Sequence, residues 1–423
     1  MNIGLRASSA ASRPRSGAAV LALAALVTVG CAGRAAIIAD DAPARDLARL
    51  VDAEPARDLL ADLLARRMLD PNLEALAPGV ARRDVLWERR TSADEYRSDL
   101  PDQAQLQKLA RETSVDFAAL SYARALSADP MSRAVQGAFN RFVHEGAAGA
   151  EELRRRPGAF PYTVLFAPSW MYRTHPETGA DFAAPRRLAA RLGIRHRVIE
   201  SDEAASIDDN AIEIAAAIRE ARSQSGDLII ISASKSGAEV ALALTGMLAP
   251  DETRHVAAWV NVVGALGGSP LADSALRPPL SWVTRAFFWV RGWKWDGVTS
   301  MTTEASRRRF DGARMPESIA VVNVVAVPVS GSVGATVWWG YRLLHRHGPN
   351  DGVVLLADTV WPGGANIVAI GPDHLFAPRE DDAHSVALIR AVDVAVQLHR
   401  ARREPHRPSP FDTAKGGLPA PAR

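Results

Sequence analysis

The 423-residue sequence contains one cysteine, Cys31, and only four lysines among its 50 basic residues. A single cysteine excludes a disulfide framework within the chain and a zinc site built from several thiolates. Basic and acidic residues nearly balance, at 50 and 48, and leave a net charge of +2. This balance excludes the strongly basic surface typical of nucleic-acid-binding proteins. Nucleic acid is therefore not an expected partner.

The sequence also lacks the usual cofactor-binding patterns. No Gly-rich phosphate-binding loop is present, and GSVG at Gly331 is too short to indicate one. His345 and His347 form an H-x-H pair, but no partner cluster accompanies them, so a surface loop explains them better. We expect neither a cofactor nor a metal.

The N-terminal apolar run is too short to span a membrane as a finished helix. It covers residues 17–30, GAAVLALAALVTVG, and follows three arginines within the first 15 residues, as in an export signal. The segment TVGCAG resembles a bacterial lipoprotein signal, with cleavage after Gly30 and lipidation of Cys31. We therefore expect residues 1–30 to be a signal peptide and the mature chain to be anchored in a membrane of the bacterial cell envelope. The alternative is ordinary secretion, in which Cys31 has no role.

Two kinds of pattern divide the remaining chain. Over residues 31–158, apolar residues recur every three or four positions and predict helices, with only DVLW suggesting a strand. Over residues 159–402, short β-branched runs alternate with helical patterns, which predicts an α/β fold with a parallel sheet covered by helices. An aromatic-rich insertion interrupts this alternation at about 268–318. Residues 403–423 are rich in Pro and Arg and are predicted to be disordered.

The segment DLIIISASKSGAEVAL, residues 227–242, places three serines between a predicted strand and a predicted helix. A nucleophile elbow, G-x-S-x-G, needs small residues on both sides of a sharp strand-to-helix turn and exposes its central serine above the sheet. Here Ser232 and Ser236 stand where the glycines would be, and Ser234 would be the apex. The alternative is a serine-rich turn in which one hydroxyl caps the helix.

A serine nucleophile needs a histidine base and an acid that fixes the histidine tautomer. In the fold that carries the elbow, the chain order is Ser, acid, His, with each residue on a loop that follows a strand. Asp351 in HGPNDGVV and His374 in NIVAIGPDHLF fit this order. Asp358 and Asp373 are competing acids.

These segments resemble the acid and histidine loops of secreted bacterial triacylglycerol lipases of the α/β-hydrolase superfamily, which carry N-D-G-[LV]-V and N-H-L-D. GALGGSPLAD and VTSMTTEASRRRFDGARMPE resemble two further lipase segments, and the similarity covers about residues 160–377 in the same order. The resemblance implies an α/β-hydrolase sheet without its first strands. It also implies that Ser234 is the nucleophile, His374 the base and Asp351 the orienting acid.

The chain departs from the lipase pattern at three places. The elbow reads SASKS, the first strand ends in APSW where His-Gly is expected, and Phe376 and Ala377 replace an acid that helps the lipases to hold calcium. Calcium is therefore not predicted. For the oxyanion hole we expect the backbone N–H of Lys235 and a second N–H from Ser169 or Trp170.

The insertion contains LRPPLSWVTRAFFWVRGWKWDG, with six aromatic side chains. Hydrolases of this type place a lid or an acyl pocket here, so Trp282, Phe288 and Trp289 are candidate substrate-binding residues. Packing in an ordinary core is an equally good explanation, and a membrane-facing surface is a third.

Together these patterns predict an exported serine hydrolase that cleaves small-molecule or lipid carboxylic esters through an acyl-enzyme, in the manner of an esterase or lipase. The alternative is a non-catalytic lipoprotein that uses the hydrolase fold as an interaction platform. The altered elbow motivates this alternative, which predicts no reaction with a fluorophosphonate probe.

Overall fold

The computed structural model describes residues 47–68, 100–155, 160–224, 226–376 and 382–403. The predicted signal peptide with Cys31, the DVLW segment and residues 404–423 of the predicted tail lie outside these ranges. In the described ranges, no helix combines the length and the apolar character needed to cross a membrane.

Six parallel strands form one sheet in the order β2-β1-β3-β4-β5-β6. Most of them are short β-branched runs buried on both faces, as expected for parallel strands covered by helices. This sheet confirms the predicted α/β fold with a parallel sheet covered by helices, and within the described residues it begins with the strand predicted at YTVLF. The strands are β1 Thr163–Ala167, β2 His196–Val198, β3 Leu228–Ala233, β4 Val256–Val262, β5 Ala320–Val327 and β6 Ala365–Ile370.

The chain before β1 is helical in its described part, as predicted. Its helices are α1 Glu54–Met68, α2 Gln103–Glu112, α3 Val115–Leu126, α4 Pro130–Glu145 and α5 Ala147–Arg155. Leu60 of α1 and Leu120 of α3 belong to one apolar cluster with Val327 and Ile370 at the ends of β5 and β6. The helical region therefore shares a core with the sheet.

Helix α4 covers the β6 edge of the sheet. Backbone N–H groups of the edge strand β6 donate to its side chains: that of Asn366 to Ser132 Oγ at 3.0 Å and that of Val368 to Gln136 Oε1 at 2.7 Å. An uncovered strand edge is a template for aggregation, and these side chains occupy it.

The remaining helices lie between the strands or, in the case of the last one, follow β6. They are α6 Ala183–Arg191, α7 Ile207–Gln224, α8 Lys235–Leu242 with a π-helical turn at Ala243–Met247, then α9 Pro270–Ala275, α10 Leu280–Arg291, α11 Trp295–Thr299, α12 Thr303–Phe310, α13 Ala335–Leu344 and α14 Asp382–Arg403. Helices α9 to α12 form the predicted insertion between β4 and β5. Helix α14 packs along α4.

Helix α7 begins earlier than the sequence pattern indicates. The pattern DNAIEIAAAIREARSQSG predicts an N-cap at Asp209 or Asn210, but both residues lie inside the helix, and Ser206 Oγ accepts the Asp209 N–H at 3.0 Å. The Asn210 amide instead donates to the Asp202 carbonyl at 2.9 Å. The Asn210 side chain therefore makes its hydrogen bond from inside the helix and does not cap it.

Candidate active site

Ser234 lies at the apex of the turn between β3 and α8. Its backbone adopts φ 51° and ψ −122°, a region that residues other than glycine rarely occupy. Two hydrogen bonds to neighbouring segments hold this conformation: the Ser234 N–H donates to the Val262 carbonyl at 3.0 Å, and the Ala265 N–H donates to the Ser234 carbonyl at 2.9 Å. The turn therefore has the sharpness of a nucleophile elbow.

The two flanking serines are buried and hydrogen-bonded. Ser232 Oγ accepts the indole N–H of Trp259 at 2.8 Å. Ser236 Oγ donates to the Ala167 carbonyl at the end of β1 at 2.7 Å and accepts the Ala233 N–H at 3.0 Å. These hydrogen bonds connect the elbow to β4 and β1.

The position that requires glycine is Gly237, one residue beyond the second flanking serine. A Cβ atom there would lie 2.7 Å from both Asn261 Oδ1 and the Gly264 Cα atom. Helix α8 therefore approaches the loop after β4 too closely for a side chain at this point. Position 237 therefore requires glycine, whereas positions 232 and 236 accommodate serines whose hydroxyls are hydrogen-bonded.

Ser234, His374 and Asp351 form a continuous hydrogen-bonded chain. His374 Nε2 lies 2.8 Å from Ser234 Oγ, and His374 Nδ1 lies 2.7 Å from Asp351 Oδ2. Asp351 is completely buried, and its Oδ1 accepts the N–H groups of Val353 and Val354 at 2.9 and 2.8 Å. With a proton on Nδ1 facing the carboxylate, Nε2 is free to accept the serine proton.

The competing acids have other partners. Asp373 Oδ2 accepts the Gly334 N–H at 2.8 Å and its Oδ1 accepts the Leu375 N–H at 3.1 Å, while burial raises its pKa.

The Asp358 backbone carbonyl accepts the Leu266 and Gly267 N–H groups, and burial raises the pKa of its carboxyl to about 6. The histidine ring bonds neither carboxylate, so Asp351 occupies the acid position.

One expected oxyanion donor is already engaged. The Ser169 N–H donates to the Ala180 carbonyl at 3.0 Å, so it does not point at the reacting centre, and this corrects the expectation for Ser169. The N–H groups of Trp170 and of Lys235, the first residue of α8, bond no backbone carbonyl in the described part of the chain. They remain the two candidate donors.

The side chain of Lys235 forms a buried ion pair that the sequence reasoning missed. Lys235 Nζ contacts Glu239 Oε1, both side chains are 2% exposed, and the Asn210 amide donates to the same oxygen at 2.8 Å. Charges buried this deeply need such partners. The i, i+4 spacing of Lys and Glu just after the elbow is the signal that could have revealed the pair.

The three aromatic residues proposed for substrate binding separate in the structure. Phe288 is buried, with its ring centroid 6.1 Å from that of Trp170 and 5.4 Å from that of Trp293. Trp282 and Trp289 lie on another face of α10 and are 70% and 83% exposed. Of these three residues, only Phe288 therefore belongs to the aromatic cluster around Trp170.

No group of three or more His, Cys, Asp or Glu side chains suited to a metal ion occurs in the ranges that the structure describes. His345 and His347 lie in a short 3₁₀ turn after α13, and burial lowers the pKa of both imidazoles. The arrangement of Ser234, His374 and Asp351 is suited to acyl transfer, which needs no metal.

Comparison with known proteins gives a likeness of fold. No family model and no curated protein matches the chain. Thirty-five chains of solved structures match. A metagenomic carboxyl esterase is 19% identical, covers 56% of this chain and 76% of its own, and has a TM-score of 0.43. The mature form of a Bacillus licheniformis lipase is 21% identical, covers 57% of this chain and 92% of its own, and has a TM-score of 0.44.

The propeptide form of the same lipase is 22% identical, covers 52% of this chain and 47% of its own, and has a TM-score of 0.43. These similarities are too weak to assign an activity.

Proposed function

We propose that this protein is a serine hydrolase that cleaves carboxylic esters through an acyl-enzyme. The observation that carries the proposal is the hydrogen-bonded chain from Ser234 Oγ through His374 to the buried Asp351, at 2.8 and 2.7 Å. A turn serine serving only as a helix cap would need no such partner, and Ser234 makes no side-chain capping bond.

The reaction follows from this arrangement. Ser234 Oγ attacks the ester carbonyl carbon while His374 Nε2 takes its proton, and the N–H groups of Lys235 and Trp170 stabilise the oxyanion. His374 then protonates the leaving alcohol, which leaves an acyl group on Ser234. Water attacks this ester with His374 again as base, and the acid is released. Throughout, the Asp351 carboxylate stabilises the imidazolium.

The substrate side of the site favours an apolar acyl group. Trp170, which carries one proposed oxyanion donor, packs against Phe288 and Trp293 with ring-centroid distances of 6.1 and 5.7 Å. Aromatic side chains commonly line apolar ligand pockets and bury hydrocarbon surface well. Small-molecule or lipid esters are therefore the proposed substrates.

A fluorophosphonate probe tests the proposal. The wild-type chain should become labelled, with the adduct on Ser234, and Ser234→Ala should abolish labelling while the circular dichroism spectrum stays unchanged. Ser232→Ala and Ser236→Ala are the matched controls and should keep the label. Absence of labelling in the wild type would instead favour the non-catalytic lipoprotein.

We also propose that the protein is exported and anchored in a membrane of the bacterial cell envelope through lipidated Cys31. The basic N-terminus, the short apolar run and Gly30 before Cys31 support this proposal. Cys31→Ser should move the protein out of the membrane fraction or leave its precursor uncleaved. A mature N-terminus that is unmodified and begins elsewhere, found by mass spectrometry, would contradict the anchor but not the hydrolase.

A further inference from the structure

Asp116, in the first turn of α3, is a fully buried carboxylate outside the site described above. Its Oδ1 accepts hydrogen bonds from the Ser330 backbone N–H at 2.9 Å and the Ser330 hydroxyl at 2.8 Å, and the Tyr341 hydroxyl lies 3.3 Å away. Its Oδ2 accepts the Asp52 N–H at 2.8 Å. Donors that converge on a buried carboxylate are held in fixed positions by it.

Ser330 belongs to the loop between β5 and α13, residues 328–334, which we call the β5–α13 loop. This loop is joined to the segment that directly precedes the candidate base. Ser332 Oγ donates to the Gly371 carbonyl at 2.7 Å, and the Gly334 N–H donates to Asp373 Oδ2 at 2.8 Å. The position of the histidine therefore depends on the position of the β5–α13 loop.

The second segment held by Asp116 supports the candidate acid. Tyr341 lies on α13, and the residue before it, Gly340, is so close to the acid loop that a Cβ atom would come within 2.1 Å of the Gly352 carbonyl oxygen. Gly352 directly follows Asp351. A shift of α13 would therefore displace the carboxylate that orients the histidine.

We propose that Asp116 is a positioning residue for the Asp351–His374 pair, acting from the helical N-terminal region through the β5–α13 loop and α13. The inference rests on the proposed function. Because the candidate oxyanion donors and the aromatic cluster lie on other segments, loss of Asp116 should lower turnover and leave substrate binding nearly unchanged.

The test compares two substitutions in the same helix of the full chain. Asp116→Asn keeps the side-chain shape but turns an amide N–H₂ toward the converging donors. Ser114→Ala is the matched control: it removes the hydroxyl that accepts the Phe117 N–H at 3.1 Å and caps α3 without bonding the β5–α13 loop. Assays are run well above pH 6, because burial raises the pKa of Asp116 to about 6.

Asp116→Asn should lower kcat for a soluble ester by on the order of 10- to 100-fold with KM nearly unchanged, since small misplacements of catalytic groups have effects of this size. Ser114→Ala should leave kcat close to the wild-type value. An unchanged kcat in Asp116→Asn, or an equal loss in Ser114→Ala, would overturn the inference. If Asp116→Asn does not fold, Ser330→Ala and Tyr341→Phe take its place, because each removes one hydroxyl donor to Asp116. Each of them should lower kcat in the same way. An unchanged kcat in both variants would overturn the inference.

Proton NMR separates failure of this inference from failure of the proposed function. If the wild type neither turns over esters nor reacts with the fluorophosphonate, the hydrolase proposal fails. The downfield imidazole N–H signal of His374, hydrogen-bonded to Asp351, still reports on the pair. It should shift or broaden in Asp116→Asn and persist in Ser114→Ala, and an unchanged signal in both variants would overturn the positioning role.

Discussion

At the scale of single residues, the acid of the candidate triad is held in one orientation. Asp351 offers one oxygen to His374 and the other to two backbone N–H groups, so its carboxylate cannot rotate without losing three hydrogen bonds. An amide in its place would present a donor where an acceptor is needed. The wrong histidine tautomer would then be favoured.

We therefore expect Asp351→Asn to lower kcat by about 10⁴-fold, the size of the loss in the serine protease precedent. Steady-state kinetics with a soluble ester measure it. Asp358→Asn serves as the control, because its carboxylate does not bond His374, and it should keep most of the activity. If Asp351→Asn kept the wild-type kcat and Asp358→Asn lost activity, the assignment of the acid would be contradicted.

Asp358 itself should affect stability in a pH-dependent way. Burial raises its pKa from the usual 3.8 to about 6. Between these two pH values the unfolded chain has released the proton and the folded protein has kept it, so stability falls as pH rises through this window. Asp358→Asn removes this effect.

Denaturant unfolding from about pH 4 to about pH 7 should therefore show the variant gaining stability relative to wild type as pH rises, by at most about 3 kcal/mol. The other titrating groups contribute equally to both proteins and cancel in the difference. Parallel stability curves would show that Asp358 titrates normally.

At the scale of elements, helix α10 has two different apolar faces. Phe288 packs into the cluster with Trp170 and Trp293, whereas Trp282 and Trp289 are exposed to solvent. Removing a buried ring leaves a cavity, but removing an exposed ring does not.

We expect Phe288→Ala to lower the free energy of unfolding by about 3 to 5 kcal/mol, the usual cost of deleting a buried Phe side chain. Trp282→Ala and Trp289→Ala should each change it by less than about 0.5 kcal/mol, as surface substitutions do. Chemical denaturation measures all three variants. Equal losses would show that α10 packs with another face inward.

The elements show which parts of the fold and the site can be predicted from sequence. The strands were predictable because their β-branched runs are local, and the loops with Asp351 and His374 were predictable because catalytic residues follow strands in a fixed order. The hydrogen bond from the Ser169 N–H to the Ala180 carbonyl could not be predicted, since it depends on how the following turn brings Ala180 close. The orientation of α10 could not be predicted either, because aromatic residues occur on all of its faces.

At the scale of the whole molecule, the helical N-terminal region is part of the body. Sequence patterns predicted its helices but gave them no role, because their partners lie far away in the chain. Ser132 and Gln136 of α4 bond the backbone of β6 across 234 and 232 residues. The first helices share their apolar cluster with the ends of β5 and β6.

A chain that begins at residue 160 should therefore fail to form a soluble monomer, because the edge of β6 and the apolar ends of β5 and β6 would be exposed. A matched chain that begins at residue 47 keeps all the described helices and should elute as a folded species with a cooperative unfolding transition. Size-exclusion chromatography and thermal unfolding compare the two. A soluble, cooperatively folded 160–423 chain would contradict this role.

The pairing of α4 with β6 and α14 also constrains the order of events during synthesis. A chain that emerges N-terminus first presents the apolar face of α4 more than 200 residues before its partners exist. Contacts this distant in sequence form late, since the ends of a long loop must first be brought together. The packing of α4 against β6 and α14 can therefore be completed only after the C-terminal part of the chain has been made.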